Sequence, residues 1–410
     1  MKTLFTGFAP NLRRKDVFLA MKYMLAPWTY KNWADGDSVV KVEKWLTNFY
    51  KLSNAITIDS GRSALLLGLE AIDIKKGDEV ILQGFTCVVV VNAIKTAGAK
   101  PVYVDVDNTF NISVTDLRNK INGNTKAVIV QHTFGVPADM DSIVDICNHR
   151  SIKIIEDCAH SLGSMYKGQK VGTFGDFAIL SFGSDKCISC VRGGAIITNN
   201  PDIALRVREL KNKLPKTRRL NIVQDLFHYT TFFKGKLMYS FYIGKLILAL
   251  AKKLNITGRI IYDCEKHGEP TDFYPAQFAN CLADLLLLQL NDFDMISEHR
   301  KKIAQIYKEK IKNAKVLKPL LTNGSIPLRY NLLTSAPDVL SIIAKNQKVI
   351  LGDWYRGVVA PLDIDMSKIG YSIGSCPVAE SFANKSVNLP TNINISVKDA
   401  NRIVNIINKY

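Results

Sequence analysis

Lys186 stands in Ser181-Phe-Gly-Ser-Asp-Lys186, directly after an apolar run from Phe177 to Phe182 that reads as a buried strand. Upstream, a second strand-like run, Ile152 to Glu156, leads into Asp157, Cys158, Ala159 and His160. A lysine and an acid at the ends of two buried strands suit one kind of chemistry. The amine can form a Schiff base with an aldehyde, and the carboxylate can hold a pyridine nitrogen protonated. That pairing points to pyridoxal phosphate (PLP). Ser60-Gly61-Arg62-Ser63 adds a third element, between a strand pattern and a helix pattern. Backbone amides at a helix N-terminus, with the helix dipole, bind phosphate. Gly61 allows close approach to the backbone, and Ser63 offers a hydroxyl. Each residue alone has a plainer reading: a turn capped by Ser63, a turn aspartate, a solvated lysine, a loop histidine. Their joint placement at strand ends favours the site.

The elements that must position these residues alternate along the first half. Ala55 to Ile58, Glu79 to Leu82, Pro101 to Val106, Ala127 to His132, Ile152 to Glu156, Phe177 to Phe182 and Ala195 to Thr198 read as strands. Ser63 to Ile72, Val88 to Thr96, Val114 to Ile121 and Met140 to Arg150 read as helices. Such alternation implies an α/β fold, a mostly parallel central sheet covered by helices. Ligands bind such sheets at the carboxyl ends of the strands, where Asp157, His132 and Ser181 fall. The rhythm stops near Lys211. Residues 211–262 form a basic, apolar insertion with eleven Lys or Arg and one acid, Asp225. A long helical pattern, Pro275 to Lys312, follows. Short strands and a last helix, Val397 to Asn408, suggest a smaller α+β domain. The expected division is a large domain over 1–265 and, over 266–410, a connecting helix with the small C-terminal domain.

At 410 residues, 47% hydrophobic and 22% charged, the chain is expected to be globular. Its eight cysteines lack the dense spacing of a disulfide scaffold, and Cys187-x-x-Cys190 has no second pair to complete a zinc site. No metal is expected, and a reducing, cytoplasmic compartment fits. Met1 to Arg14 has no apolar core for a signal peptide, and no run reaches the length of a membrane span. The net charge of +17 raises nucleic acid as a partner, but no binding module is present, so none is expected.

Several motifs occur in order: Ser60 to Leu65, Gly77 to Leu82, Gly98 to Asp107, Glu156-Asp-Cys-Ala-His160-Ser-Leu-Gly163, Gly175-Asp-Phe177, Ser181-Phe-x-x-x-Lys186 and Gly193 to Thr198. Together they resemble the DegT/StrS-type sugar aminotransferases of PLP fold type I, strongly over about residues 35–210. The likeness returns at Leu290 to Tyr307, Cys376 to Glu380 and Asn388 to Pro390. The resemblance implies that Lys186 bonds the cofactor and later moves the proton, and that Asp157 pairs with the pyridinium nitrogen. It places His160 near the ring hydroxyl. Gly61, Arg62 and Ser63 hold the phosphate by their amides, with the Ser181 hydroxyl. His132 and Phe134 match a stretch beside the cofactor. It departs in three places. Cys87 stands where a stacking aromatic is usual. Asp272-Phe-Tyr-Pro275 replaces an Asn-Tyr-Arg-Met segment that reaches the partner subunit's phosphate. Asn392 ends a Leu-Pro-x-His pattern on the substrate side.

The expected activity is transfer of an amino group, with glutamate as donor, to a keto sugar, nucleotide-linked and destined for a surface polysaccharide. The resemblance implies a homodimer. The alternative is a non-catalytic member that binds a sugar or a membrane assembly. Residues 211–262 are expected to rest on an anionic membrane surface at the inner face, or else to form a buried hairpin at the dimer interface.

Overall fold

Runs of Val, Ile and Leu form strands here because both faces of each run find apolar cover. The computed structural model describes residues 2–410. Seven strands make the central sheet: β1 (Asn54–Ile58), β2 (Glu79–Gln83), β3 (Lys100–Val104), β4 (Thr125–Gln131), β5 (Lys153–Asp157), β6 (Phe177–Ser181) and β7 (Gly194–Thr198). Their order is β1-β7-β6-β5-β4-β2-β3. All neighbours are parallel except β7, which runs antiparallel to β6 and β1. Successive residues serve opposite cores, as a doubly covered sheet requires. Ile155 packs with Ile129, Ile179 and Ile196 on one face, while Ile154 packs with Val128 and Val130 on the other.

The helices that matter to the site are α1 (Arg14–Leu25), α2 (Gly61–Ala71), α3 (Val88–Thr96), α4 (Met140–His149), α5 (Arg219–Leu237), α6 (Ile243–Lys253), α7 (Asn280–Leu290), α8 (Phe293–Lys310) and α9 (Val397–Lys409). α2 lies close on β6, since a Cβ at Gly68 would stand 2.3 Å from the Phe177 ring. That closeness brings the N-terminus of α2 to the carboxyl end of β6. The cap of α2 is Ser60, whose side chain accepts from the Ser63 N–H.

The helical pattern expected over Pro275 to Lys312 is two helices. Asn291 and Asp292 separate α7 from α8. Arg13 and Lys15 hold the Asp292 carboxylate at that junction, where a negative charge favours the start of α8. The C-terminal part carries an antiparallel sheet of β8 (Val316–Leu317), β9 (Arg329–Thr334) and β10 (Ser386–Pro390). α8 and α9 cover it through Tyr307, Ile403 and Ile407. Leu4 belongs to this cluster and pairs with Val349, so the first residues pack with the C-terminal body.

The 211–262 insertion folds as a helical hairpin, α5 then α6. A Cβ at Gly244 would stand 2.0 Å from the Gly235 carbonyl oxygen, so only glycine permits this crossing. α5 buries Ile222, Leu226 and Tyr229 with α1 and α7. His228, also buried, stacks on Phe232 at 4.1 Å, and neither ring nitrogen has a partner. Burial first, then Lys236, pushes its pKa down to about 3 from an ordinary 6.5. As pH falls from 6.5 toward 3, the unfolded chain gains a proton that the native chain refuses. Stability should therefore fall by up to about 1.4 kcal/mol per pH unit in that window. Urea unfolding at several pH values should show this slope in the native protein and a flatter one in His228→Phe.

Candidate active site

The parallel strands end together, and Asp157 is in register with Gln131 on β4 and Ile179 on β6. Above these ends opens a cavity of about 710 Å³. Its lining includes Gly61, Arg62, Cys87, Asp157, His160, Ser181 and Lys186. Seven of the nine residues expected from the sequence therefore meet at one place. Ser63 and His132 do not line it.

Lys186 sits on a tight loop after β6, its N–H donating to the Gly183 carbonyl at 3.1 Å. Asn11 donates to the Lys186 carbonyl, and Arg300 donates to Asn11 at 2.6 Å, so the loop is held from two other elements. Its Nζ stands 5.2 Å from the centre of the Trp354 ring. Burial lowers the Lys186 pKa, against the opposing pull of Asp157. A neutral amine is the form that attacks an aldehyde. Asp157 is buried, and its Oδ1 accepts from the Ala159 N–H at 2.9 Å. Burial raises its pKa, with Ala159, Lys186 and His132 pulling the other way. A cationic ring nitrogen at the open Oδ2 would restore the charged form.

His160 is buried and kept neutral: burial first, then Lys186 and Arg329, hold its pKa well below 6.5. Its Nδ1 accepts from the Phe134 N–H at 3.4 Å, so Nε2 carries the proton and faces the Tyr355 hydroxyl at 3.3 Å. Phe134, Trp354 and Tyr355 stack around the imidazole at 5.6 to 5.9 Å between ring centres. Trp354 and Tyr355 come from a loop in the C-terminal part, which supplies aromatic cover beside Cys87. Arg329 lies 3.8 Å over the Trp354 ring and pairs with Asp185 at 3.3 Å, fixing that loop against the residue before Lys186.

His132 is fully buried behind the cavity. Its Nδ1 accepts from the Ala138 N–H at 3.1 Å, so Nε2–H donates to Glu156 at 3.1 Å. The same Glu156 accepts from the N–H groups of Gly172, Phe174 and Gly175. With both ring nitrogens engaged, His132 pins the 172–175 turn instead of facing a ligand. His132, Glu156 and Cys158 converge closely enough to suggest a metal, but these hydrogen bonds already use the histidine nitrogens and both carboxylate oxygens. Ser63 spends its N–H and hydroxyl on Ser60, at 3.2 and 2.8 Å.

The N–H groups of Gly61 and Arg62 open α2 and have no carbonyl one turn back. A Cβ at Gly61 would stand 2.8 Å from Ser181 Cβ, and one at Gly194 would stand 2.3 Å from the Ser60 carbonyl carbon. Two glycines thus clear a cradle with N–H donors and the Ser181 hydroxyl at its edge. The Arg62 side chain turns away, to Glu265 and the Ile260 carbonyl, and lies 4.9 Å over Tyr274. Arg192 lies 4.8 Å over the same ring and pairs with buried Asp225 at 3.1 Å. Tyr274, in the segment that departed from the expected pattern, therefore takes two guanidinium faces at the cavity wall. Sequence reasoning missed Trp354, Tyr355, Arg192 and Tyr274. The only local signal was the rarity of tryptophan, four in the chain.

This donor set fits PLP: N–H groups for its phosphate, an acid for its ring nitrogen and a lysine for its aldehyde. Sheet and site together define the class of fold-type I PLP proteins. The chain belongs to the DegT/DnrJ/EryC1/StrS aminotransferase family, whose model matches residues 21–229 and 273–408. The family is PLP-dependent. The chain is 37% identical over 207 residues to a GDP-perosamine synthase of Escherichia coli O157:H7, covering 50% of this chain and 56% of that protein. It is 36% identical over 163 residues to a UDP-N-acetyl-3-dehydro-alpha-D-glucosamine 3-aminotransferase of Acidithiobacillus ferrooxidans, covering 39% of this chain and 44% of that one. These matches span about half the length of those relatives. A solved DegT DnrJ EryC1 StrS aminotransferase from Brucella abortus has the same fold, with a TM-score of 0.74 at 24% identity over 96% of this chain and 95% of that one.

Trp354 offers a direct test of the aromatic cover. Trp354→Ala removes a stacking surface worth about 0.5–1.5 kcal/mol, so PLP should dissociate roughly two- to tenfold more readily. Titration of the apoprotein with PLP, followed by absorbance, checks this.

Proposed function

We propose that this chain is an aminotransferase that moves an amino group from glutamate to a keto sugar carried on a nucleotide. One observation carries the reading: a lysine of lowered pKa, a buried acid and a phosphate cradle converge on one cavity. Bound PLP supplies a ring that accepts the electron pair left when a proton leaves the amine-bearing carbon. The chain's residues do the rest. Asp157, ionised, keeps the ring nitrogen protonated. Lys186 Nζ takes the proton from one carbon and returns it to another as a general base and acid. His160, neutral with its Nε2–H beside the Tyr355 hydroxyl, would help hold the ring, and Trp354 with Tyr355 would keep water from the site.

Lys252, which makes no ion pair among the described residues, lines the cavity with Arg192, Arg259 and Arg356, whose guanidiniums pair with Asp225, Asp263 and Asp338; together they offer donors for a diphosphate. The named relatives act on GDP- and UDP-linked sugars, which supports the same carrier class here. We further propose a homodimer and a role in building a surface polysaccharide. A non-catalytic sugar binder would have no use for a lysine of lowered pKa held beside a buried acid.

The test is the first half of the reaction. Purified protein with PLP should lose its visible absorbance band on addition of L-glutamate and release one equivalent of 2-oxoglutarate per site. No change with glutamate, or an equal change with any amino acid, would remove the donor assignment. A nucleotide keto sugar should then restore the band; failure with every such sugar would remove the acceptor class.

A further inference from the structure

The family's model leaves residues 230–272 unmatched, so α6 and its flanks lie outside the shared framework. α6 buries Gly244 and Ala251 against α5 and leaves another face open. On that face Ile243, Leu246, Leu250 and Leu254 follow at spacings of three and four, and each is between 45% and 64% exposed. One helical stripe of branched aliphatics therefore has no cover from this chain. The turn before it adds Leu237, Phe241 and Tyr242, all above 70% exposed, and the segment after it adds Ile256 and Ile260.

We propose that this face docks the protein on the surface of an anionic lipid bilayer. Lys234, Lys245, Lys252 and Lys253 lie on the same hairpin and are exposed. None of the four makes an ion pair among the described residues. Lys245 packs its ammonium 4.2 Å from the Tyr242 ring centre, the aromatic–cation pairing that settles at headgroup level. Asp225, the one acid between 211 and 262, is buried against Arg192 and offsets nothing at the surface. The outward charge of the hairpin is thus wholly positive.

Charge selects among the occupants. A second copy meeting this face about a twofold axis would set the same lysines against each other. Nucleic acid would meet the cations but gain nothing from Ile243, Leu246 and Leu250. A bilayer with anionic headgroups satisfies both, because the aliphatics enter the acyl boundary while the lysines reach phosphates. The docking is peripheral. At 11 residues α6 is roughly 16 Å long, against a hydrocarbon core of about 30 Å. No helix among the described residues is long and apolar enough to cross a membrane. Lys252 and Ile260 also line the cavity rim, so docking sets that rim beside the headgroup layer.

The test uses the full chain and needs no substrate. Flotation with phosphatidylcholine vesicles is compared with flotation on vesicles that also contain phosphatidylglycerol. Expected is recovery with the anionic vesicles only, lost at high salt. Leu246→Asp with Leu250→Asp should abolish it. Lys245→Gln and Lys253→Gln should each weaken partitioning by about fivefold. All four sites are exposed, and circular dichroism and PLP binding should be unchanged. Equal flotation on both vesicle types, no flotation, or flotation that survives the leucine changes overturns the proposal. So does a fall in molecular mass of the leucine variant with no vesicle binding in the native protein, which would make the face a contact between copies.

Discussion

Lys186→Ala should lose the visible absorbance of lysine-bound PLP and at least about 10⁴-fold in amino transfer. The change removes both the amine that holds the cofactor's aldehyde and the group that moves the proton. The fold should survive, because the Lys186 backbone is held independently, by Gly183 from within its loop and by Asn11 and Arg300 from outside it. Lys186 is also only partly buried, and its ammonium makes no ion pair among the described residues. Thermal unfolding should therefore move little, whereas kcat collapses. Lys186→Arg separates charge from chemistry. It keeps a cation near Asp157 but cannot give up its proton, so it should be as inactive as the alanine variant.

Asp157→Asn should keep PLP bound, through the cradle and Lys186, yet lose about 10²- to 10³-fold in kcat. The amide is nearly isosteric and can still accept from the Ala159 N–H. It cannot hold a proton on the ring nitrogen, so the ring becomes a poorer acceptor of electrons. The burial that raises the Asp157 pKa makes the effect specific. Asp157 is 4% exposed, so few waters can approach this carboxylate to take its place. Near-native kcat in Asp157→Asn would show the acid to be structural only. Absorbance of the bound cofactor reads the ring's protonation directly, and it should shift in the variant even where kcat is too low to measure.

Much of the framework was legible because burial on both faces writes itself into composition. Ile179 and Ile196 sit in short apolar runs, Ile154 and Ile155 in a β-rich stretch broken by Lys153, and polar residues that follow these stretches lie at the strand ends. Asp157, Ser181 and Lys186 were readable for that reason, and Gly61 because a glycine opening a helix leaves room for a ligand. His132 occupied a matching motif, but a motif does not reveal which way a ring turns. Two hydrogen bonds, to Glu156 and from Ala138, turn it into the core. Ser63 was similarly taken by its own cap. Trp354 and Tyr355 were not readable as site residues, since they lie more than 160 positions from Lys186 and reach it only when the C-terminal part packs against the sheet. The same holds for Arg329 and for Tyr274 beneath its two guanidiniums. The long helical pattern after Pro275 read as one element because apolar periodicity continues across Asn291 and Asp292. The break depends on Arg13 and Lys15, which are distant in sequence.

The most direct measurement is reduction of the PLP-loaded protein with borohydride, followed by proteolysis and mass spectrometry of the peptides. A phosphopyridoxyl mass on Lys186, and on no other lysine, is the expected result. A label elsewhere, or no label on protein that has bound PLP, would contradict the site assigned to this chain.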